Sequence, residues 1–509
     1  MTNERLLLGP PGCGKTYTLI ERIRTAFADG VRPEQIAFVS FTRKAIQEAT
    51  ERVTQEFGLQ DKQLTYFRTL HSLGFRVLGL NPSNMLGKED WTFLSGKLGC
   101  SFKGVTQANV DEGNLIASDR TVGGEGNKYV AIIDRARYRG VSITQEYNET
   151  ANYELHFPML EKIKKTIEQY KALQYKYDFV DLIDKSMSAE FPNFQLLIVD
   201  EAQDLTPLQL DLVSHIAQFA EEVIYAGDDD QAIHRWTGVD VKRFITLTDN
   251  IEILSQSYRL PRRIHALSQV VAKRITGRVP KEFLPRKEEG LIEQHLTRDT
   301  IPLHKGSWTI MCRTNSHVSE FAKWLREAGY FYSKKGHPAI SLKKGQGIET
   351  WRKLQAGGKI GVIEALKLYE VIPKQGDNKG LKYNSKKLLE PLDPEAKLSY
   401  EDLTQYGLTA PKNRDAMDVL QIGVDDTLYI RALERRGESI TEEPRIKVST
   451  FHAMKGGEDD NCVVYLASTK FASESKHPND EHRAFYVGVT RARKELHILD
   501  TNKTYRYEL

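Results

Sequence analysis

Short apolar runs recur along the chain, each closed by small or polar residues: LLLG (6–9), IAFVSF (36–41), LLIVDEA (196–202), VIYAGD (223–228), WTIMCRT (308–314), CVVYLAS (462–468) and ELHILD (495–500). They are continuous rather than alternating, the pattern of strands buried on both faces of a parallel sheet. Between them, stretches such as YTLIERIRTAF (17–27) and EFAKWLREAG (320–329) repeat apolar positions at helical spacing. Alternating strand and helix predicts doubly wound α/β layers. The runs form two groups, one ending near residue 230 and one beginning near 308, which predicts two lobes.

Two long stretches, 81–175 and 336–444, break the rhythm and are expected to be insertions, largely helical or mixed. With 509 residues the chain exceeds one compact core and is expected to hold roughly three or four folding units. Net charge is only +3, but residues 334–389 hold 13 Lys/Arg against 4 Asp/Glu. That stretch fits either a solvated lysine-rich surface or a phosphate-facing patch. No apolar run reaches the roughly 20 residues of a membrane span, so no membrane role is expected. The nucleotide motif follows the N-terminus so closely that no signal peptide is expected. Cys13, Cys100, Cys312 and Cys462 lie far apart, a spacing that suggests neither a cysteine zinc site nor a disulfide framework and points to a reducing cytoplasm.

GPPGCGKT (9–16) fits G-x-x-x-x-G-K-S/T between a predicted strand and a predicted helix. Backbone N–H groups from Gly9, Pro10, Pro11, Gly12, Cys13 and Gly14, prolines excepted, would close on phosphate oxygens at a helix N-terminus. Lys15 would reach the β- and γ-phosphates, and Thr16 would ligate Mg2+. The strand LLIVDEA ends in an acidic pair, of which Asp200 is the expected metal ligand and Glu201 the expected general base. These elements imply an NTPase using Mg2+; ATP as the nucleotide comes with the family resemblance. A kinase, a transporter subunit or a switch protein would carry them too.

Further blocks discriminate among these. SFTRKAIQEATERV (40–53), FRTLHSLGFRVL (67–78), YDFVDLI (177–183), VDEAQDLTPLQ (199–209), AGDDDQAIHRWTG (226–238), LSQSYRLP (254–261), CRTNSHVSEFAKWLREAGYFY (312–332), STFHAMKGGED (449–459) and EHRAFYVGVTRARKEL (481–496) occur in order. In this series the chain resembles the UvrD/Rep/PcrA helicases of superfamily 1A. The resemblance implies two RecA-like lobes of parallel sheet flanked by helices. The first would comprise 1–80 and 176–253, with the insertion 81–175. The second would comprise 254–335 and 445–509, with a reduced insertion 336–444.

The same resemblance implies an ATP-driven motor that tracks single-stranded DNA 3′→5′ and opens ss/ds junctions, as a monomer or weak dimer in the nucleoid. Arg259 and Arg491 would act as arginine fingers on the γ-phosphate, which Gln231 would sense. Tyr258 would stack on the base, while Gly456 and Glu458 would approach the nucleotide, Glu458 at the ribose. Phe41 and Trp236 would be platforms for DNA bases, with Thr42, His71, Asn315 and His452 near the strand backbone.

Three features depart from the family pattern. With eight residues ahead of Gly9 the family's Gln-containing segment before the P-loop is expected to be missing, His234 and Thr237 replace an aromatic and an arginine, and the second insertion lacks the usual Phe/Glu/Arg-rich opening. An ATP-gated binding protein that never unwinds, and a helicase acting on RNA, are the competing readings.

Overall fold

The computed structural model describes residues 3–102, 124–150, 155–373, 380–473 and 477–509. Parts of both insertions, including Lys374 and Lys379 of the lysine-rich stretch, lie outside them. The chain divides into two units, one of Met1–Glu289 with His477–Tyr486 and one of Gly290–Lys476 with Val487–Leu509.

The first unit is built on six parallel strands: β1 (Asn3–Leu8), β2 (Ile36–Ser40), β3 (Phe67–Thr69), β4 (Phe194–Asp200), β5 (Ala220–Gly227) and β6 (Ile251–Ile253). Their order is β3-β2-β4-β5-β1-β6. The unbroken apolar runs have a direct cause. In β4, Leu197 and Val199 pack in one core while Leu196 and Ile198 pack in another. Likewise Leu6 and Leu8 of β1 face the first core and Leu7 the second. Side chains alternate across a strand, so covering both faces with helices demands an apolar residue at every position.

The first insertion is helical, with Lys88–Leu98, Glu125–Arg139, Ile143–Thr150 and Phe157–Gln174. Trp91, Leu94, Tyr129, Ile133, Leu160 and Ile163 give it a core of its own. It is tied to the helix Phe179–Ser186 through buried charges: Arg137 and Lys171 both pair with Asp178 and Asp181 at 2.6–2.9 Å.

The second unit holds a seven-stranded sheet: β7 (Leu291–His295), β8 (Trp308–Cys312), β9 (Tyr332–Lys334), β10 (His337–Pro338), β13 (Ile446–Thr450), β14 (Asp459–Tyr465) and β15 (Ala492–Leu499). Its order is β10-β9-β13-β8-β14-β15-β7, and only the β9–β10 pair is antiparallel. The second insertion adds the helices Leu342–Gln355, Val362–Val371 and Val424–Arg436, and a two-stranded ribbon of β11 (Ile360–Gly361) and β12 (Lys397–Leu398). Its Trp351, Leu354, Tyr369 and Leu403 belong to the same core as Trp308 and Ile310 of the sheet. Several cations of the lysine-rich stretch are paired, Lys343 and Lys386 with Glu370 and Arg352 with Glu434. Among the described residues no helix is long and apolar enough to cross a membrane.

The expected boundary at 253/254 divides residues that the structure keeps together. β6 hydrogen-bonds to β1, and the segment after it is fastened to the P-loop, so residues 254–289 pack with the first unit.

Candidate nucleotide site

Strands β4, β5 and β1 are neighbours, and all three deliver polar residues at their carboxyl ends, where ligands of open parallel sheets bind. Leu8 pairs with Gly227, and Gly9 N–H donates to the Gly227 carbonyl at 2.9 Å. The chain then turns through Gly12 (φ +71°) and Gly14 (φ +79°) into the helix Lys15–Ala28. Only glycine takes those two φ values without strain. Lys15 and Thr16 thus open a helix whose unsatisfied N–H groups favour an anion.

Lys15 Nζ lies 3.1 Å from Glu201 Oε1. Burial opposes the Lys15 charge, but the carboxylates of Glu201 and Asp200 outweigh it and hold the ammonium above its ordinary value. Asp200 is buried at the end of β4; burial, then the adjacent Glu201 charge, raises its carboxyl above the usual range. Glu201 itself sits at φ +53°, a left-handed conformation rarely taken by a residue with a Cβ. Strain of this kind, about 1–3 kcal/mol, persists only where the surroundings enforce it. Here the Glu201 N–H donates to Asp200 Oδ1 at 2.9 Å, and Gln203 Nε2 donates to Glu201 Oε2 at 2.5 Å.

Gln231 is buried, and its side-chain amide donates to Asp228 Oδ2 at 2.7 Å. The residues after β6 close the loop from the other side. Ser257 Oγ donates to the Pro11 carbonyl and Tyr258 N–H to the Gly12 carbonyl, both at 2.7 Å. A Cβ on Gly12 would lie 2.2 Å from that of Arg259, and one on Gly14 would lie 3.6 Å from the Tyr258 ring, which is exposed. Lys15, Asp200, Glu201, Gln231, Tyr258 and Arg259 are therefore all carried by the first unit around one strand edge.

Arg491 and Glu458 belong to the second unit. Arg491 is fully buried there, donating to the carbonyls of Val487 and Gly457 and to Thr490 Oγ1 at 2.9–3.1 Å. Gly456 turns at φ +74°, and the exposed Glu458 pairs with Arg493 at 3.1 Å.

The expected strand-binding residues divide between packed and accessible positions. Phe41 is buried with its ring 6.1 Å from that of His234. Thr42 caps the helix Arg43–Phe57 by accepting from Ala45 N–H, and buried His71 bonds Tyr138 Oη at 3.0 Å. Asn315 is exposed at the start of the helix Asn315–Glu327, and His452 is half-buried after β13. The side chain of Trp236 lies outside the described residues.

Comparison with known proteins finds matches at both ends of the chain. Residues 1–252 match the UvrD/REP helicase N-terminal domain, and residues 405–503 match the UvrD-like helicase C-terminal domain. The chain belongs to the UvrD/Rep helicase family. It is 23% identical to a Bacillus subtilis protein named ATP-dependent DNA helicase PcrA, over 97% of this chain and 80% of that protein. Proteins of the same name from Staphylococcus epidermidis and Staphylococcus aureus are 25% and 24% identical over 54% of this chain, and the match spans 39% of their length.

In this member of the UvrD/Rep family, three residues outside the expected set hold the site together. Gln203 bonds Glu201 through its nitrogen and accepts from Asp228 N–H through its oxygen at 3.0 Å, joining the two acidic loops with one amide. Asp228 anchors Gln231, and Ser257 anchors the P-loop. The run of aspartates after β5 flags Asp228 in the sequence and the VDEAQD block flags Gln203 beside Glu201, whereas nothing local flags Ser257 or the bond from Gln203 to Asp228, whose partners are remote. Behind the site, buried Lys281 pairs with Asp228 at 3.3 Å and Asp230 at 2.9 Å and also with Asp229, while Arg278 pairs with Asp230. Burial raises the Asp228 carboxyl; for Asp230 the Arg278 guanidinium and the Lys281 ammonium overcome burial and lower it.

Proposed function

We propose that this chain is an ATP-driven motor that moves 3′→5′ along single-stranded DNA and separates strands at ss/ds junctions. The observation that carries the proposal is the meeting of Lys15, Glu201 and the Tyr258–Arg259 segment at one strand edge. The printed name of the Bacillus subtilis relative, a DNA helicase, supports DNA as the track.

A helix-opening hydroxyl, Thr16, and a buried carboxylate, Asp200, offer the hard oxygen donors that Mg2+ takes, so the residues fit the ion. When bound, Mg2+ neutralises phosphate charge. Lys15 holds the β- and γ-phosphates, exchanging its Glu201 partner for phosphate oxygen. Released from Lys15, Glu201 takes the proton of the attacking water as that oxygen bonds to the γ-phosphorus and the bond to ADP breaks. Gln231, fixed by Asp228, senses the γ-phosphate; Tyr258 stacks on the base; Glu458 binds the ribose; Arg259 and Arg491 offset charge developing on the transferred group. Phe41, Thr42, His71, Trp236, Asn315 and His452 form the strand-binding set. For the buried Phe41 and His71 this requires rearrangement against His234 and Tyr138.

Purified chain is tested for ATP hydrolysis with DNA and RNA single strands of equal length, then for strand displacement from duplexes carrying a 3′ or a 5′ tail. Strong stimulation by DNA and displacement from the 3′-tailed duplex are expected. Turnover without displacement from either tail would make the chain an ATP-gated binding protein. Greater stimulation by RNA would move the track.

A further inference from the structure

The second unit carries a cluster of side chains that nucleotide chemistry does not use. β7 is the edge strand of its sheet and pairs with β15, Glu293 standing opposite His497 and His295 opposite Leu499. Alternation along the strands puts Glu293, His295, Glu495 and His497 on the same face. His497 is fully buried against Trp308, with ring centroids 4.9 Å apart, and His295 is buried beside it. Glu293 is half exposed.

The hydrogen-bond partners accommodate a tautomer of each imidazole that turns an inner nitrogen lone pair toward the other ring. With the Thr300 hydroxyl donating to the Thr297 carbonyl at 2.9 Å, its oxygen is free to accept from His295 Nδ1–H at 2.8 Å. That leaves Nε2 of His295 as a lone pair. On the other ring, Glu495 Oε2 lies 3.3 Å from His497 Nε2; a carboxylate accepts only, so Nε2 holds the proton and Nδ1 is the lone pair. The two lone pairs face each other at 2.8 Å. Glu293 Oε2 approaches within 3.8 Å of His295 Nε2 and 3.6 Å of His497 Nδ1. In these tautomers two lone pairs and a carboxylate converge on one point, where a cation fits in place of a ring-to-ring N–H···N bond. The three edges bracket the separation of about 3.3 Å between donors around a tetrahedral zinc with bonds of about 2.0–2.1 Å. Both outward N–H groups are held by oxygen acceptors, the support that orients ligating imidazoles.

We propose that Glu293, His295 and His497 form a divalent transition-metal site of the zinc type, its fourth position open beside Glu293, that clamps edge strand β7 to β15. Two imidazoles and one carboxylate select a zinc-like ion over Mg2+, which prefers oxygen ligands throughout. The ligands come from two strands 202 positions apart, so no sequence motif marks the site.

Full-length chain is stripped with a chelator, returned to Mg2+ buffer and titrated with Co2+, then Zn2+. Expected are one Co2+ per chain with the intense visible bands of tetrahedral ligation, displacement of those bands by Zn2+, and a higher unfolding temperature with Zn2+. Hydrogen exchange in β7 should slow. Glu293→Ala, at an accessible position, should weaken Zn2+ binding about tenfold or more, and His295→Gln should remove the Co2+ bands. Zn2+ binding unchanged by Glu293→Ala, or weak octahedral Co2+ absorption alone, would overturn the site. An unfolding temperature that follows pH but ignores Zn2+ would do the same, and would assign the space between the rings to a shared proton.

Discussion

Lys15 Nζ and Glu201 Oε1 stand 3.1 Å apart, so the cation expected to hold phosphate and the carboxylate expected to activate water are partners of each other. Their separation on ATP binding would arm both. Lys15→Ala should abolish hydrolysis while the unfolding transition stays cooperative. Glu201→Gln should keep ATP and strand binding and lose about 10²–10⁴ in turnover, the usual share of a general base. Steady-state hydrolysis beside nucleotide binding measures both, and normal turnover in Glu201→Gln would remove its assigned role.

Asp200 gives a pH signature. Its carboxyl is raised in the folded chain, through burial and the adjacent Glu201 charge, above the value of about 3.9 of an unfolded aspartate. Folding therefore favours the protonated form, and stability falls as pH rises through the raised value. Asp200→Asn should raise the unfolding temperature of nucleotide-free protein, and more in alkaline than in mildly acidic buffer. The opposite pH trend would contradict a raised carboxyl.

Gly12→Ala should be severe for two separate reasons. The position has φ +71°, and the added Cβ would lie 2.2 Å from the Arg259 Cβ. The Tyr258–Arg259 segment must then lift off the P-loop. A stability loss of about 1–3 kcal/mol, the scale of local strain or overpacking, is expected with weakened nucleotide binding. Chemical denaturation and nucleotide titration together check it.

Lys281→Met should cost about 3–5 kcal/mol, because it strands three buried carboxylates without their shared cation. Denaturation midpoints read the loss directly. A near-neutral result would mean that Arg278 alone balances the aspartates.

Trp236→Ala should weaken strand binding by about 1–3 kcal/mol if the indole stacks a base. Fluorescence anisotropy with a labelled single strand tests this, and unchanged affinity would take Trp236 out of the strand-binding set.

Much of the fold was legible because burial on both faces writes itself as unbroken apolar runs, as in β1, β2, β4, β5, β8 and β14. The strands that escaped notice are β3, β6 and β9, three residues each, the two-residue β10, β11 and β12, β7, whose LIEQH is mostly polar at a sheet edge, and β13, whose IKVST breaks its apolar positions with polar ones. Too few apolar positions distinguish such strands from loops. Within the candidate site, the P-loop and the acidic pair stand out because each is contiguous. The Ser257–Pro11 and Gln203–Asp228 bonds join residues far apart in sequence, and only the folded sheet makes them neighbours. Residues 254–289 were expected with the second lobe for the same reason: the hydrogen bonds that draw them to β1 and the P-loop leave no local trace.

The two insertions differ in how their interiors close. Helices between Lys88 and Gln174 enclose a core that no sheet strand shares, with Tyr138 alone among their buried apolar side chains packed into the sheet, whereas Trp351 and Tyr369 are continuous with the strands beneath them. Domain grafting should therefore succeed at the first and fail at the second. Exchanging the former swaps a self-supporting module, while deleting the latter strips the hydrophobic backing from β8 and β13 and would leave that sheet prone to aggregation.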